Sequence, residues 1–193
     1  MYGLLNAALK EFVVSTHGSA AWDTVTEHAG ESTRVYNKME QYPDDVTYRL
    51  VGATAATTGA SGDDVLDRFG EFWVKYTAEQ GYGTLFDIAG DSLRDFLLSL
   101  DDLHARIGRS FPKLVPPSFR FDPIDPHTLR MHYLSPRKGL CPMIPGLLRG
   151  LSVRFKTPIR VQEDQCARRG ADHCEFVVNI QPKSAWQSSQ GKQ

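Results

Sequence analysis

The hydrophobic pattern of this chain changes its period once, and this change constrains the fold more than any other feature. Apolar residues first recur at helical spacing and then, from Ser118 onward, alternate with polar residues as in strands. The predicted helices cover residues 2–16, a segment after Ser19, 44–58, 62–80 and 92–108. The predicted strands begin at Ser118 and cover 128–135, 153–164 and 173–181, with a short helix at about 143–151. This order predicts an α+β fold, in which a helical N-terminal part precedes a four-stranded antiparallel sheet with one inserted helix.

The length and charge of the chain limit its organisation and its partners. The 193 residues predict one well-cored domain over 1–181, followed by a polar tail at 182–193. The net charge is −1, with 22 Lys and Arg against 23 Asp and Glu, so no basic excess exists to neutralise phosphates. Nucleic acid is therefore not expected as a partner.

The sequence also carries no signal for membrane insertion or export. No apolar run approaches the roughly 20 residues that span a bilayer, and the N-terminus lacks the basic region of a signal peptide. Three cysteines cannot all pair with one another, which disfavours a disulfide framework. Together these features predict a location in the reducing cytoplasm, without contact to a membrane.

His104 lies on the apolar face of the last predicted helix. It follows Leu100 by four residues and Leu97 by seven, so its imidazole is expected to point towards the core. Such a histidine is more often a hydrogen-bonded core residue than a ligand. An imidazole facing a pocket can, however, bind a metal through one nitrogen while the other is oriented by an acceptor.

A second candidate site follows the second predicted strand, in the segment Tyr133-Leu134-Ser135-Pro136-Arg137. At a strand end, alternate side chains project to one side, so a phenol, a hydroxyl and a guanidinium converge. These three donors form a receptor for carboxylates or a phosphate. The alternative is a surface strand end with a solvated arginine, and spacing alone does not distinguish the two.

Taken together, His104, Pro117 thirteen residues later and the Tyr133-x-Ser135-x-Arg137 motif resemble the signature of the heme nitric oxide/oxygen binding (H-NOX) family. That family includes the heme domain of soluble guanylate cyclase and bacterial stand-alone sensors. The resemblance extends from the opening Met-x-Gly-Leu-Leu-Asn to the segment 172–176.

This resemblance implies heme b, buried between the helical part and the sheet. The helical subdomain would cover about 1–60 and the heme-embracing part about 61–181. His104 would be the proximal iron ligand, and Pro117 would press the porphyrin out of plane. Tyr133, Ser135 and Arg137 would bind the propionates.

The residues expected on the distal side of the heme favour nitric oxide over dioxygen. Bound dioxygen is stabilised by a hydrogen-bond donor, which in the family's oxygen-binding members is a tyrosine just after the propionate motif. Residues 140–147 contain no tyrosine, and the matching position in the first helix is Leu9. Trp73 is the one candidate donor, with core packing as its alternative role. The distal residues are Leu9, Trp73, Met143, Ile144 and Leu147. We expect a nitric oxide sensor with carbon monoxide as a weaker ligand.

The cysteines form a further candidate site. Cys141, Cys166 and Cys174 would, with one more ligand, make a closed tetrahedral zinc site. Some bacterial family members resemble this pattern but carry a histidine three residues before the middle cysteine, where this chain has Glu163. His173 is the alternative fourth ligand, although in a regular strand it would point away from Cys174. A thiol switch and three unconnected cysteines remain open.

The resemblance implies a bacterial sensor without enzymatic activity of its own. It would pass ligand binding to a histidine kinase or a cyclic-di-GMP enzyme. The alternative functions are a zinc or thiol redox-sensing module and a dioxygen-binding heme protein.

Overall fold

A computed structural model describes residues 1–32, 35–111, 113–182, 184 and 186. Its helices are α1 (Gly3–His17), α2 (Ser19–His28), α3 (Asp44–Thr58), α4 (Gly62–Thr77), α5 (Gly83–Ala89), α6 (Leu93–Leu98), α7 (Leu100–Ser110) and α8 (Met143–Arg154). A π-helical segment, Ala78–Tyr82, joins α4 to α5, and a 3₁₀ turn lies at Ala167–Arg169. The strands are β1 (Ser118–Pro123), β2 (Thr128–Leu134), β3 (Ile159–Gln165) and β4 (Cys174–Ile180).

The α+β fold class is confirmed. The four strands form one antiparallel sheet in the order β1-β2-β4-β3, and α8 is inserted between β2 and β3. No helix within the described ranges is both long and apolar enough to cross a membrane. The division at about residue 60 stays a prediction, and most of the predicted tail, 182–193, lies outside the described residues.

Three predicted boundaries are wrong. The helix predicted over 92–108 is two helices, because the Ser99 hydroxyl donates to the carbonyl oxygens of Ala89 (2.5 Å) and Phe96 (3.0 Å) at the break. The helix predicted to end at residue 80 continues through the π-helical segment into α5. The strand predicted from residue 153 starts at Ile159, since α8 runs on to Arg154 and Lys156 then adopts a positive φ of 49°.

The buried apolar side chains form two cores. The first lies among α1 to α4, and the second lies between the inner face of the sheet and helices α6 and α8. Alternate residues of β2 and β4, including Met131, Phe176 and Val178, fill the second core, as the period of two predicts. Helices α4 and α8 contribute side chains to both cores. The packing of these two helices against each other therefore determines how the two cores are positioned relative to one another.

Glycines allow α4 and α8 to approach closely. A Cβ atom on Gly146 would lie 1.7 Å from the carbonyl oxygen of Asp67, and one on Gly70 would lie 2.3 Å from that of Met143. Beside this crossing, Arg149 donates two hydrogen bonds to Asp67, at 3.0 and 2.6 Å. The contact therefore requires glycine at the crossing.

We predict that Gly146→Ala destabilises the protein by about 1–3 kcal/mol or more, because the added methyl group collides with rigid backbone. The free energy of unfolding, measured by urea denaturation with circular dichroism, tests this. The matched control is Gly52→Ala inside α3, where a Cβ atom would meet no other atom within 4 Å. This control should be neutral or stabilising by up to about 1 kcal/mol. Equal stability of Gly146→Ala and wild type would contradict the packing described for α4 and α8.

Candidate functional site

His104 is held on α7 where this helix packs against β1. Its ring lies 5.5 Å from the ring of Phe119, and its Nδ1 atom is buried without a hydrogen-bond partner in the described part of the chain. Burial lowers the pKa of His104, and this effect outweighs the opposing influence of the Asp101 carboxylate and the Pro117 backbone. The imidazole is therefore neutral at neutral pH, which is the form that binds metals.

Asp101 fixes the position of His104 relative to the sheet. Its two carboxylate oxygens accept hydrogen bonds from the Ser118 hydroxyl (2.9 Å) and from the Phe119 backbone N–H (2.6 Å). Asp101 lies three residues before His104 on the same helix, so it joins this turn of α7 to the start of β1. The sequence analysis did not identify Asp101. Its spacing of three from His104 was the available signal.

Tyr133 and Ser135 of the Tyr133-x-Ser135-x-Arg137 motif lie together, and the Arg137 side chain binds elsewhere. Tyr133 is buried at the end of β2, and the Ser135 hydroxyl accepts a hydrogen bond from the Arg137 backbone N–H at 3.1 Å. Burial raises the pKa of Tyr133, and a hydrogen bond with the Ser135 side chain opposes this shift. Beyond the strand, the Arg137 guanidinium donates to the carbonyl oxygen of Val115 at 2.6 Å.

Asp44, at the start of α3, is a carboxylate partner of Arg137 that the sequence analysis did not identify. Arg137 Nε donates to Asp44 Oδ2 at 2.8 Å, and the N-terminal ammonium of Met1 donates to Asp44 Oδ1. Burial alone would raise the pKa of Asp44, but these two hydrogen bonds outweigh burial and lower it. The pair shows that Arg137 is oriented to bind a carboxylate, and it connects α3 to the segment after β2.

The residues between His104 and the motif suit a flat apolar cofactor with an axial metal and carboxylate groups. Phe119 lies beside His104 and, with ring centres 5.4 Å apart, beside Tyr133. An unpartnered buried imidazole nitrogen and the Tyr133 phenol of the motif therefore lie beside the same aromatic ring. This donor set fits heme.

The five residues expected on the distal side are divided between the two cores. Leu9, Trp73 and Met143 belong to the first core, whereas Ile144 and Leu147 belong to the second. Leu9 is fully buried, and Trp73 contacts the edge of Phe69 at a ring distance of 6.2 Å. Trp73 lies on α4, and Met143, Ile144 and Leu147 lie on α8, the two helices that cross closely, whereas Leu9 lies on α1.

The three cysteine side chains meet on the inner face of the sheet. The sulfur of Cys166 lies 3.6 Å from that of Cys141 and 3.8 Å from that of Cys174, and all three are buried free thiols. Burial raises the pKa of Cys141 to about 12. Burial, together with a hydrogen bond to Glu163, also raises the pKa of Cys166.

Glu163, rather than His173, is brought to the thiols. Glu163 pairs with Phe176 across β3 and β4, and a β-bulge follows it before Gln165 pairs with Glu175. His173 instead contacts His132, with its Nε2 atom 2.9 Å from His132 Nδ1, on the opposite face of the sheet.

Comparison with known proteins shows similarity to one family. A family model described as "Haem-NO-binding" matches residues 2–163. The soluble guanylate cyclase gcy-35 of Caenorhabditis elegans is 30% identical over 200 aligned residues, which cover 95% of this chain and 29% of the cyclase. The soluble guanylate cyclase gcy-32 of the same organism is 30% identical over 80% of this chain and 23% of its own length. The chain thus spans less than a third of the length of these relatives.

Solved structures of similar fold include two of an H-NOX protein from Shewanella oneidensis. The crystal structure of a mutant in the Fe(II) ligation state superposes with a TM-score of 0.86 at 25% identity, covering 94% of this chain and 97% of that one. The NMR structure in the Fe(II)CO ligation state gives a TM-score of 0.83 at 25% identity, covering 94% and 99%.

We predict that Asp44→Asn lowers the unfolding temperature at pH 7 and that this difference shrinks as the pH falls below about 4. Because the pKa of Asp44 is lower in the folded state than in the unfolded chain, its contribution to stability is present above about pH 4. The contribution is lost as the pH falls through the lowered value. Thermal unfolding followed by circular dichroism between pH 3 and 7 tests this. A constant difference between variant and wild type across this range would contradict the ion pair.

Proposed function

Because this chain belongs to the Haem-NO-binding family, we propose that it is a heme-based nitric oxide sensor that regulates a separate signalling enzyme. The observation that supports this most directly is the buried, unpartnered nitrogen of His104, on a helix that Asp101 joins to the strand beside the carboxylate-binding motif. When bound, heme b would supply a ferrous iron that takes a diatomic gas as ligand.

The proposed heme contacts follow from the donors available. His104 would bind the iron from the proximal side, and its neutral imidazole suits this role. Tyr133, Ser135 and Arg137 would bind the propionates, and Arg137 already accommodates one carboxylate, that of Asp44. Pro117, whose backbone lies at His104, would contact the proximal face of the porphyrin.

Apolar side chains on the proposed distal side support selectivity for nitric oxide. Leu9 and Ile144 are buried and offer no hydrogen-bond donor, and no tyrosine occurs in residues 140–147. Trp73 contains the one indole N–H proposed for this side, and its contact with Phe69 supports a packing role. We therefore expect nitric oxide and, more weakly, carbon monoxide as ligands. The Fe(II)CO state of the Shewanella oneidensis protein is consistent with this expectation.

The contacts that connect His104 to β1 and to the helical part support a sensor that acts by changing shape. With heme bound, His104 would anchor α7 to the iron, and Asp101 would transmit any displacement of α7 to β1. The ion pair between Arg137 and Asp44 would extend this displacement to the helical part. A partner that binds one of the two arrangements would be regulated by the shift. In this proposal, the protein works in the bacterial cytoplasm, and the partner is a histidine kinase or a cyclic-di-GMP enzyme.

We further propose a zinc ion at the three cysteines, with Glu163 as the fourth ligand. Sulfur atoms on one tetrahedral zinc lie about 3.8 Å apart, since each Zn–S bond is about 2.3 Å. The observed separations of 3.6 and 3.8 Å agree with that geometry. A thiol redox switch is the alternative use of the same residues.

The first experiment compares optical spectra of wild type and His104→Gly. The ferrous wild type should remain unchanged in air, because the distal side lacks a suitable donor. If nitric oxide displaces His104 in the proposed sensor, the nitric oxide complexes of wild type and His104→Gly should have the same spectrum, and different spectra would contradict this role of His104. His127→Gly, which alters an exposed histidine in the turn between β1 and β2, should behave as wild type. A stable complex with dioxygen would contradict the proposed selectivity, and failure of the wild type to bind heme would overturn the proposed function.

Zinc at the cysteines is tested by X-ray absorption at the zinc edge. Wild type dialysed against zinc chloride should hold one equivalent of sulfur-ligated zinc, with Zn–S distances of about 2.3 Å. Cys174→Ser should weaken this binding by at least about tenfold. A wild type without sulfur-ligated zinc would contradict the site and favour the thiol switch.

A further inference from the structure

A second cluster of potential metal ligands lies on the outer face of the sheet, away from the cysteines. It consists of His132 on β2, His173 just before β4, and Glu175 on β4. His132 Nδ1 lies 2.9 Å from His173 Nε2 and 3.2 Å from Glu175 Oε1, and His173 Nε2 lies 3.1 Å from the same oxygen. Three potential ligand atoms thus form a nearly equilateral triangle.

The sheet itself brings these residues together. His132 and Glu175 are directly opposite each other in the antiparallel pairing of β2 and β4. His173 precedes Glu175 by two residues, so both project to the same face, while Cys174 between them points inward. The side chains of His132, His173 and Glu175 are only 12%, 22% and 14% exposed, so the ligand atoms are largely shielded from solvent.

Two of the three side chains are oriented by neighbours through the atom that faces away from the triangle. His132 Nε2 lies 2.9 Å from Asp122 Oδ2, and since an ionised carboxylate only accepts, this nitrogen must donate. The other carboxylate oxygen of the cluster, Glu175 Oε2, accepts from Arg130 Nη1 at 3.1 Å. His132 Nδ1 and Glu175 Oε1 are therefore left directed at the centre of the triangle. Carboxylate–histidine pairs of this kind orient metal ligands in many proteins.

The three ligand atoms approach one another closely enough for one ion to contact all of them. His132 Nδ1, His173 Nε2 and Glu175 Oε1 are separated by 2.9–3.2 Å. Imidazole nitrogens and carboxylate oxygens can each offer a lone pair to a metal. A cation at the centre would satisfy all three atoms at once.

We propose that His132, His173 and Glu175 bind a divalent transition-metal ion, with Zn²⁺ as the best match. Imidazole and carboxylate ligands suit this ion, and ligand atoms at about 2.0–2.1 Å from it lie about 3.3 Å apart in a tetrahedral site. The observed edges of 2.9–3.2 Å need to open by only a few tenths of an ångström. Three protein ligands leave one position for water or an external ligand. This site does not depend on heme or on the cysteines.

The test measures zinc bound to the heme-loaded, tag-free protein after dialysis against buffered zinc chloride. Metal content per chain should exceed one equivalent, and X-ray absorption at the zinc edge should reveal nitrogen and oxygen ligands at about 2.0–2.1 Å. These ligands should remain in Cys174→Ser, in which the sulfur-ligated zinc at about 2.3 Å is reduced. His173→Gln and Glu175→Gln should each lower the affinity of the nitrogen- and oxygen-ligated site at least about tenfold and leave any sulfur-ligated zinc in place.

The control is His127→Gln, which removes an exposed histidine outside the cluster and should retain full zinc binding. Asp122→Asn, which keeps all three ligands, should weaken binding by about 10- to 100-fold through the orientation of His132. The heme spectrum and circular dichroism of each variant establish that it is folded. Absence of nitrogen- and oxygen-ligated zinc in wild type would overturn the assignment, as would equal affinity in wild type, His173→Gln and Glu175→Gln.

Discussion

The position of His104 depends on one carboxylate, that of Asp101. A helix lying on the edge of a core can rotate and slide, because its apolar contacts are not directional. Hydrogen bonds from Ser118 and the Phe119 backbone to Asp101 remove this freedom and hold α7 against the start of β1. Bonds to a charged acceptor are also stronger than those between neutral groups. The imidazole nitrogen of His104 can therefore remain buried and unpartnered at a fixed place beside Phe119.

Two further contacts determine how this site is connected to the rest of the molecule. The glycines at the crossing of α4 and α8 join the two cores by close backbone packing, which is rigid because little space remains for adjustment. The ion pair between Arg137 and Asp44 joins the same parts at a more exposed place, and such pairs contribute little energy and exchange partners easily. A change at His104 would therefore separate the two parts more easily at the Arg137–Asp44 pair than at the glycine crossing.

Much of the fold was predictable because, along most of the chain, the apolar residues recur at the spacing of the side chains that the structure buries. Alternation at Phe119, Phe121 and Leu129 indicated strands, and the spacing around Leu97 indicated the buried face of the helices. One boundary was mispredicted because a side-chain hydroxyl hydrogen-bonds to the helix backbone, as Ser99 does between α6 and α7. Asp44 was missed for a different reason, because its bond to Arg137 joins residues 93 positions apart and no local pattern reports it.

Strand alternation also explains why His173 and the cysteines do not share one site. Neighbouring residues of a strand face opposite sides, so Cys174 joins the inner thiols while His173 and Glu175 join His132 on the outer face. Glu163 can reach Cys166 because the bulge after it changes the direction of β3 before Gln165. The segment 173–175 therefore contributes to two candidate metal sites on the two faces of one sheet. His173, which the sequence suggested as an alternative fourth zinc ligand beside the cysteines, lies instead with His132 and Glu175.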